Sequence, residues 1–225
     1  MAANAITPSV FRFLRAIKRN NNRDWFTRNK ERYIQEVRDP VCHFIADFGP
    51  KLERISRRLV ADPRPVGGSM IRIYRDTRFS KDKSPYKSWV GIRFGHVDGK
   101  QVPSPGCYLH LEPGRVFFAG GMWHPETKAL GAVRDAIVSH PERWKKIVGR
   151  RGFELSEGES LKRAPRGYDA DHPFVDDLRR KGFMHSVSFT EKQACGKVFA
   201  SELERVGRRA GPLMEFLAEA VGVRW

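Results

Sequence analysis

Six cationic side chains crowd into one short run of this chain: Arg72, Arg75, Arg78, Lys81, Lys83 and Lys87. The same run holds two carboxylates, Asp76 and Asp82, with Phe79 and Tyr86 set between the charges. Like charges at that density repel, and two aspartates offset only part of the excess. A bound anion is the chemistry this spacing invites. Arginine presents paired N–H donors that match a phosphate or carboxylate, and lysine adds point charge. The expected grip is therefore Arg72, Arg75, Arg78, Lys83 and Lys87, oriented by Asp76 and Asp82, with Tyr86 donating a hydrogen bond. The competing expectation is an ion-pair network that only fixes the loop, its surplus cations facing water. Ser80, Ser84 and Tyr86 have no histidine base in a local motif and read as turn formers or hydrogen-bond partners.

A second group with chemical potential is Tyr108, His110 and Glu112. At a spacing of two on a strand, all three share one face, and Leu109 and Leu111 take the other. His110 beside Glu112 suits a general base with its orienting carboxylate, or half of a metal site. A lone His-x-Glu is as readily a polar sheet face under a loop, so no metal and no cofactor is expected. Any further metal ligand would have to come from His124, Asp169, Asp171 or His172. Lys162, Arg163 and Arg166 form a second cationic cluster, followed by Tyr168, Asp169 and Asp171. It either closes over the first and clamps an extended phosphorylated ligand, or Asp171-His172-Pro173 simply caps the next helix. Trp25, Trp89 and Trp123 are expected in the core rather than as stacking platforms for bases.

The elements that position these groups follow from periodicity. Thr7-Pro8 marks a helix start, with Val10, Phe13, Leu14 and Ile17 on one stripe. A second helix begins near Asp24 and carries Trp25, Phe26, Tyr33 and Val37. Asp39-Pro40 repeats the start signal, and Val41, Phe44, Ile45, Phe48, Leu52, Ile55 and Leu59 predict one helical face, kinked at Gly49-Pro50. After a Pro/Gly-rich loop at 62–68 the period changes to two, predicting strands over 70–75, 89–94, 107–112 and 115–119. The basic run then joins the first two strands, a placement typical of sites. His124-Pro125 and His140-Pro141 open further helices, another ends through Leu178, and 183–189 reads as a strand. Thr190 and Gln193 form a capping box for a long helix, and Gly211-Pro212 punctuates before a last amphipathic one. The sum is one α+β domain over 1–225, with a helical segment at 1–60, a sheet meander at 69–120 and a mostly helical 124–225. Its central antiparallel sheet of about four to six strands is flanked by N-terminal and C-terminal helices.

Composition bounds the partners. The chain has 225 residues, and 42 Lys+Arg against 26 Asp+Glu give a formal net charge of +16, which favours acidic partners. The basic residues are scattered without a like-charged tail, so charge alone does not decide for nucleic acid. Hydrophobic residues make up 40% of the chain, which argues against disorder. Cys42, Cys107 and Cys195 are odd in number and far apart, which suggests reduced thiols and a cytoplasmic setting. No basic-then-apolar leader opens the chain, and no apolar stretch approaches membrane-spanning length.

The motif Arg72-x-x-Arg75-Asp76-x-Arg78-Phe79-Ser-x-Asp82-Lys83-x-Pro-Tyr86-Lys87 resembles the signature of a widespread, mainly bacterial family, domain of unknown function 2461. So do Asn21-Asn22-Arg-Asp-Trp25-Phe26, Tyr108-Leu-His-Leu-Glu-Pro113-Gly114, and Leu161-Lys-Arg-Ala-Pro-Arg-Gly-Tyr168 with Asp171-His-Pro173. The resemblance covers nearly the whole chain and implies no established activity, substrate or catalytic residue. The residues themselves predict a cytoplasmic protein that binds a small phosphorylated or otherwise anionic ligand. If it turns that ligand over, phosphoester or nucleotide chemistry with Asp82 or His110 as acid/base is the natural class. The alternatives are a nucleic-acid-binding module without catalysis, and a protein whose basic loop docks on an acidic partner.

Overall fold

The computed structural model describes residues 5–225. The reading of the chain start as leaderless rests in part on Met1–Asn4, which lie outside the described residues.

Helix α1 (Pro8–Arg19) starts with proline at its first turn and buries Val10, Phe11, Phe13, Leu14 and Ile17, one apolar stripe at helical spacing. Asn22 caps α2 (Arg23–Arg28) by accepting from the Trp25 amide at 2.9 Å. Short α3 (Lys30–Tyr33) leads through a π-helical turn at Ile34–Arg38 directly into α4 (Asp39–Glu53). Asp39-Pro40 is therefore the interior of a continuous run, not a fresh start. Pro50 sits inside α4, which ends at Glu53. The apolar spacing continues to Leu59, but Leu59 instead bridges to His96 beside the sheet, so the expected helix is about six residues too long.

Four strands, β1 (Val90–Phe94), β2 (Gly106–Glu112), β3 (Arg115–Met122) and β4 (Phe183–Phe189), form an antiparallel sheet in the order β1-β2-β3-β4. The protein is α+β, with helices before and after the sheet. The strand predicted over 70–75 is not one. Residues 69–71 pair with β1 (Ile71 N–H to Gly91 O and Arg93 N–H to Ser69 O, both 2.8 Å), whereas 73–75 pair with 85–87. The chain changes partner midway, which breaks the two-residue period. Met70 and Ile73 reach the core, while Ile71 lies against Gly91 on the other side.

Helices α5 (Thr127–Ser139), α6 (Pro141–Val148) and α7 (Val175–Leu178) pack around Trp144. The Thr190/Gln193 capping box is formed, but it opens only the four-residue α8 (Glu191–Ala194). The long helix is α9 (Phe199–Ala220), and it runs straight through Gly211-Pro212, which was expected to divide it. Helix α9 lies across the inner sheet face. A Cβ on Gly120 would come 2.9 Å from the Ala210 Cβ, so this glycine permits the close approach. Phe199, Leu203, Val206, Ala210 and Met214 of α9 join the core shared by α1, α4 and the sheet; Leu213, Phe216 and Leu217 join the Trp144 cluster. Inward residues Ile92, Phe94, Leu109, Leu111 and Phe118 are fully buried. Among the described residues no helix is long and apolar enough to cross a membrane, and the three cysteines are free.

Candidate functional site at the basic ribbon and the outer sheet face

The basic run is a short ribbon. Arg75 N–H donates to Pro85 O at 2.9 Å, Lys87 N–H donates to Ile73 O at 2.8 Å, and residues 76–84 form the tip. Two residues, Asn21 of the turn between α1 and α2 and Phe26 of α2, anchor it. The Asn21 carboxamide pairs with both backbone groups of Tyr86, donating to its oxygen at 2.9 Å and accepting from its amide at 3.1 Å. The Tyr86 ring, 6% exposed, stacks on Phe26 with centroids 4.1 Å apart. Tyr86 thus faces the core, and burial raises its phenol pKa.

The two carboxylates pair one to one. Asp82 takes Arg75 and also accepts from the Ser84 amide at 2.9 Å. Asp76 takes the Arg78 guanidinium in a fork at 3.0 and 2.7 Å. Both carboxyls are held below the usual range, Asp82 by Ser84 and Arg75, Asp76 by Arg78. Four cations keep no carboxylate within ion-pair distance among the described residues: Arg72, Lys81, Lys83 and Lys87. Lys83 caps Thr77 O at 3.0 Å at the tip. Lys87 turns back across the ribbon, donating to Arg72 O at 2.8 Å and to Tyr74 O, with its ammonium 5.6 Å from the Trp89 ring centroid. Burial, then Arg72 and Arg75, push the Lys87 pKa down. The segment therefore divides. Arg72, Arg75 and Lys87 converge at the base, and Arg78, Lys81 and Lys83 spread around an exposed tip where Phe79 is 96% exposed.

Lys87 links the ribbon to the outer face of the sheet. Strand register arranges that face as rows across β1, β2 and β3. Arg93, Tyr108 and Ala119 form one row and Gly91, His110 and Phe117 the next, while Glu112 lies opposite Arg115. Trp89 leans over Gly91, where a Cβ would meet its ring at 2.8 Å and the Tyr108 hydroxyl at 2.7 Å. Glycine at 91 is what lets both side chains reach His110. Aromatic faces then stack sideways, Trp89 on His110 at 5.2 Å and His110 on Phe117 at 5.0 Å. Cations close both ends of the stack, Lys87 on Trp89 and Arg115 at 5.2 Å over Phe117.

His110 is buried between those rings, and each nitrogen has a partner: Nδ1 lies 3.1 Å from the Tyr108 hydroxyl, Nε2 3.2 Å from a Glu112 oxygen. Burial lowers its pKa, opposed by Glu112, so at neutral pH the ring is neutral. Neutral imidazole here accepts from Tyr108 O–H at Nδ1 and donates Nε2–H to the carboxylate. Burial likewise pushes the Tyr108 phenol up to about 12.

A family model described as conserved hypothetical protein (DUF2461) matches residues 9–216. The chain belongs to this family. No curated protein and no solved structure matches it. In this DUF2461 member, three of the four stretches that carry the resemblance come together: Asn21 to Phe26 anchors the ribbon, and Lys87 of the ribbon reaches Trp89 beside the Tyr108-to-Glu112 strand.

The fourth stretch is placed elsewhere. Arg179 holds its backbone through Leu161 O at 2.8 Å and Lys162 O at 2.9 Å, and Tyr168 donates to Asp135 of α5 at 2.7 Å. Lys162, Arg163 and Arg166 are exposed there. The chain just before them runs along the outer edge of β4, with Ser156 N–H on Met184 O, whereas the ribbon flanks β1. Three strand spacings, about 14 Å, separate those edges. Asp169 and His172 accept from backbone amides of their own turn. Among the described residues no three His, Cys, Asp or Glu side chains converge as metal ligands.

Trp25 and Trp89 are half-buried, but Trp123, expected in the core, is 70% exposed, because Met122 takes the inward position at the end of β3. Gly91, Arg93, Arg115 and Phe117 went unnoticed in the sequence. Their signal was the outward parity of the strands around them.

Proposed function

We propose that the protein binds a phosphorylated or otherwise anionic ligand where the base of the basic ribbon meets the outer sheet face. One observation carries this reading: Lys87 is half-buried beside Arg72 and Arg75, is fixed by backbone carbonyls, and has no carboxylate of its own. An ammonium held among like charges is stabilised when an anion arrives. Arg72 and Lys87 supply the charge. Arg75 and Asp82 set the ribbon's shape, and Arg78, Asp76 and Lys83 shape its tip. Tyr86 anchors the ribbon from below. His110 is the natural acid/base for phosphoester or nucleotide chemistry, being neutral, oriented by Glu112 and joined to Lys87 through Trp89. Asp82 is less suited to proton transfer, since Arg75 and the Ser84 amide already occupy it. Lys162 and Arg163 would meet only a ligand long enough to cross the sheet.

A second reading, nucleic-acid binding, is favoured by Phe79, which stands exposed at the ribbon tip with the Arg78 guanidinium 5.8 Å from its ring. Thermal denaturation with tripolyphosphate at constant ionic strength separates the two. Ligand binding predicts a saturable rise in Tm that follows concentration, lost in Arg72→Gln/Lys87→Gln. If Tm stays flat while duplex DNA binds with a log–log salt slope near −0.9 per phosphate contact, the second reading holds.

A further inference from the structure

The geometry points to Tyr108 as a nucleophile toward a phosphate ester, activated by His110 and Glu112. This rests on the anionic-ligand reading and names the reaction at that site. A hydroxyl within hydrogen-bond reach of an imidazole whose other nitrogen is held by a carboxylate is the arrangement that activates weak nucleophiles. Here the links are 3.1 Å from Tyr108 to Nδ1 and 3.2 Å from Nε2 to Glu112. Three features go beyond a polar network that merely satisfies itself. The imidazole is clamped between Trp89 and Phe117, so it cannot swing away from the phenol. A side chain at 91 would strike the Tyr108 hydroxyl, and glycine there is what admits the hydroxyl beside Trp89 and Ile71. Exposed Arg93 stands directly opposite Tyr108 on β1, and Arg115 lies at the Glu112 end; neither has a carboxylate within ion-pair distance among the described residues. Two guanidiniums without carboxylates on the same sheet face suit a phosphoryl group, Arg115 on the side to which the hydroxyl points and Arg93 in the Tyr108 row with its Nε over Gly95. Base stacking suits this face less well, because its ring faces already lie against one another.

In the first step the Tyr108 oxygen–phosphorus bond forms and the bond from phosphorus to the ester oxygen breaks. The phenol proton passes to His110 Nδ1, where Glu112 and two aromatic faces hold the imidazolium, and the alkoxide, leaving in line on the far side of phosphorus, takes its proton from water. In the second step the hydroxide left by that transfer attacks phosphorus in line, the bond from phosphorus to the Tyr108 oxygen breaks, and the imidazolium returns its proton to that oxygen. Charge and protons balance without a redox partner.

Bis(p-nitrophenyl) phosphate and p-nitrophenyl phosphate are the probes. The full chain should release p-nitrophenolate from at least one and, after an acid quench, carry a phosphoryl adduct on the Tyr108 peptide by mass spectrometry. Tyr108→Phe should remove the adduct and slow release by roughly 100-fold or more, as should His110→Gln. Tyr108→Phe should keep the tripolyphosphate-induced rise in Tm, which shows that fold and binding survive. No release from either ester, or undiminished release from Tyr108→Phe, overturns the assignment. A retained Tm rise then leaves the binding reading standing, and a lost one in the parent chain removes both.

Discussion

At the residue scale, His110 makes a titration test possible. The ordinary histidine pKa is 6.5, and burial between Trp89 and Phe117 lowers it in the folded chain, partly opposed by Glu112. The unfolded chain therefore binds this proton more readily on the acid side of 6.5. His110 contributes its full stability above that value and loses it as pH falls toward the folded-state pKa. In His110→Gln the drop in Tm between pH 7.5 and pH 5.5 should be smaller than in the parent chain. Parallel curves would mean that His110 titrates as an ordinary exposed histidine. Sequence parity alone put Tyr108, His110 and Glu112 on one face, because a strand's period of two needs no tertiary knowledge. It could not supply Trp89 or Phe117, since which strand lies beside which is decided by the sheet.

At the element scale, the ribbon shows where periodicity stops. Residues 70–75 carry a strand's alternation, yet the chain exchanges β1 for 85–87 as its partner after two hydrogen bonds, so no continuous strand forms. Helix starts were legible from Thr7-Pro8 and His140-Pro141, but Pro50 and Pro212 lie within helices because packing along α4 and α9 outweighs the lost backbone bond. The anchor was invisible in local sequence, for Asn21 and Tyr86 are 65 positions apart. Asn21→Ala removes two hydrogen bonds to the ribbon and should cost about 1–3 kcal/mol. Trypsin should then cut between Arg78 and Lys83 faster than in the parent chain. An unchanged cleavage rate would assign the anchoring to Tyr86 and Phe26 alone.

At the scale of the molecule, all the elements combine to leave one side of the sheet available. Helix α9 covers the inner face, where Gly120 admits it, and the outer face keeps Arg93, Arg115, Ser186 and Ser188 exposed around the half-buried Tyr108 and Phe117. The net charge of +16 was plain from composition, but its focus was not. Asp76 and Asp82 neutralise Arg78 and Arg75, which leaves Lys81 and Lys83 at the tip and Arg72 and Lys87 at the ribbon base beside Trp89. General electrostatic attraction and a built anion site make different demands on two removed charges. Calorimetric titration of tripolyphosphate should therefore compare the parent chain with Arg72→Gln/Lys87→Gln and with Arg205→Gln/Arg208→Gln, which removes the same charge from the exposed side of α9. The ribbon variant should bind at least about tenfold more weakly, a loss of about 1.4 kcal/mol, while the α9 variant matches the parent. Equal weakening in both variants, or none in either, would contradict an anion site at Arg72 and Lys87.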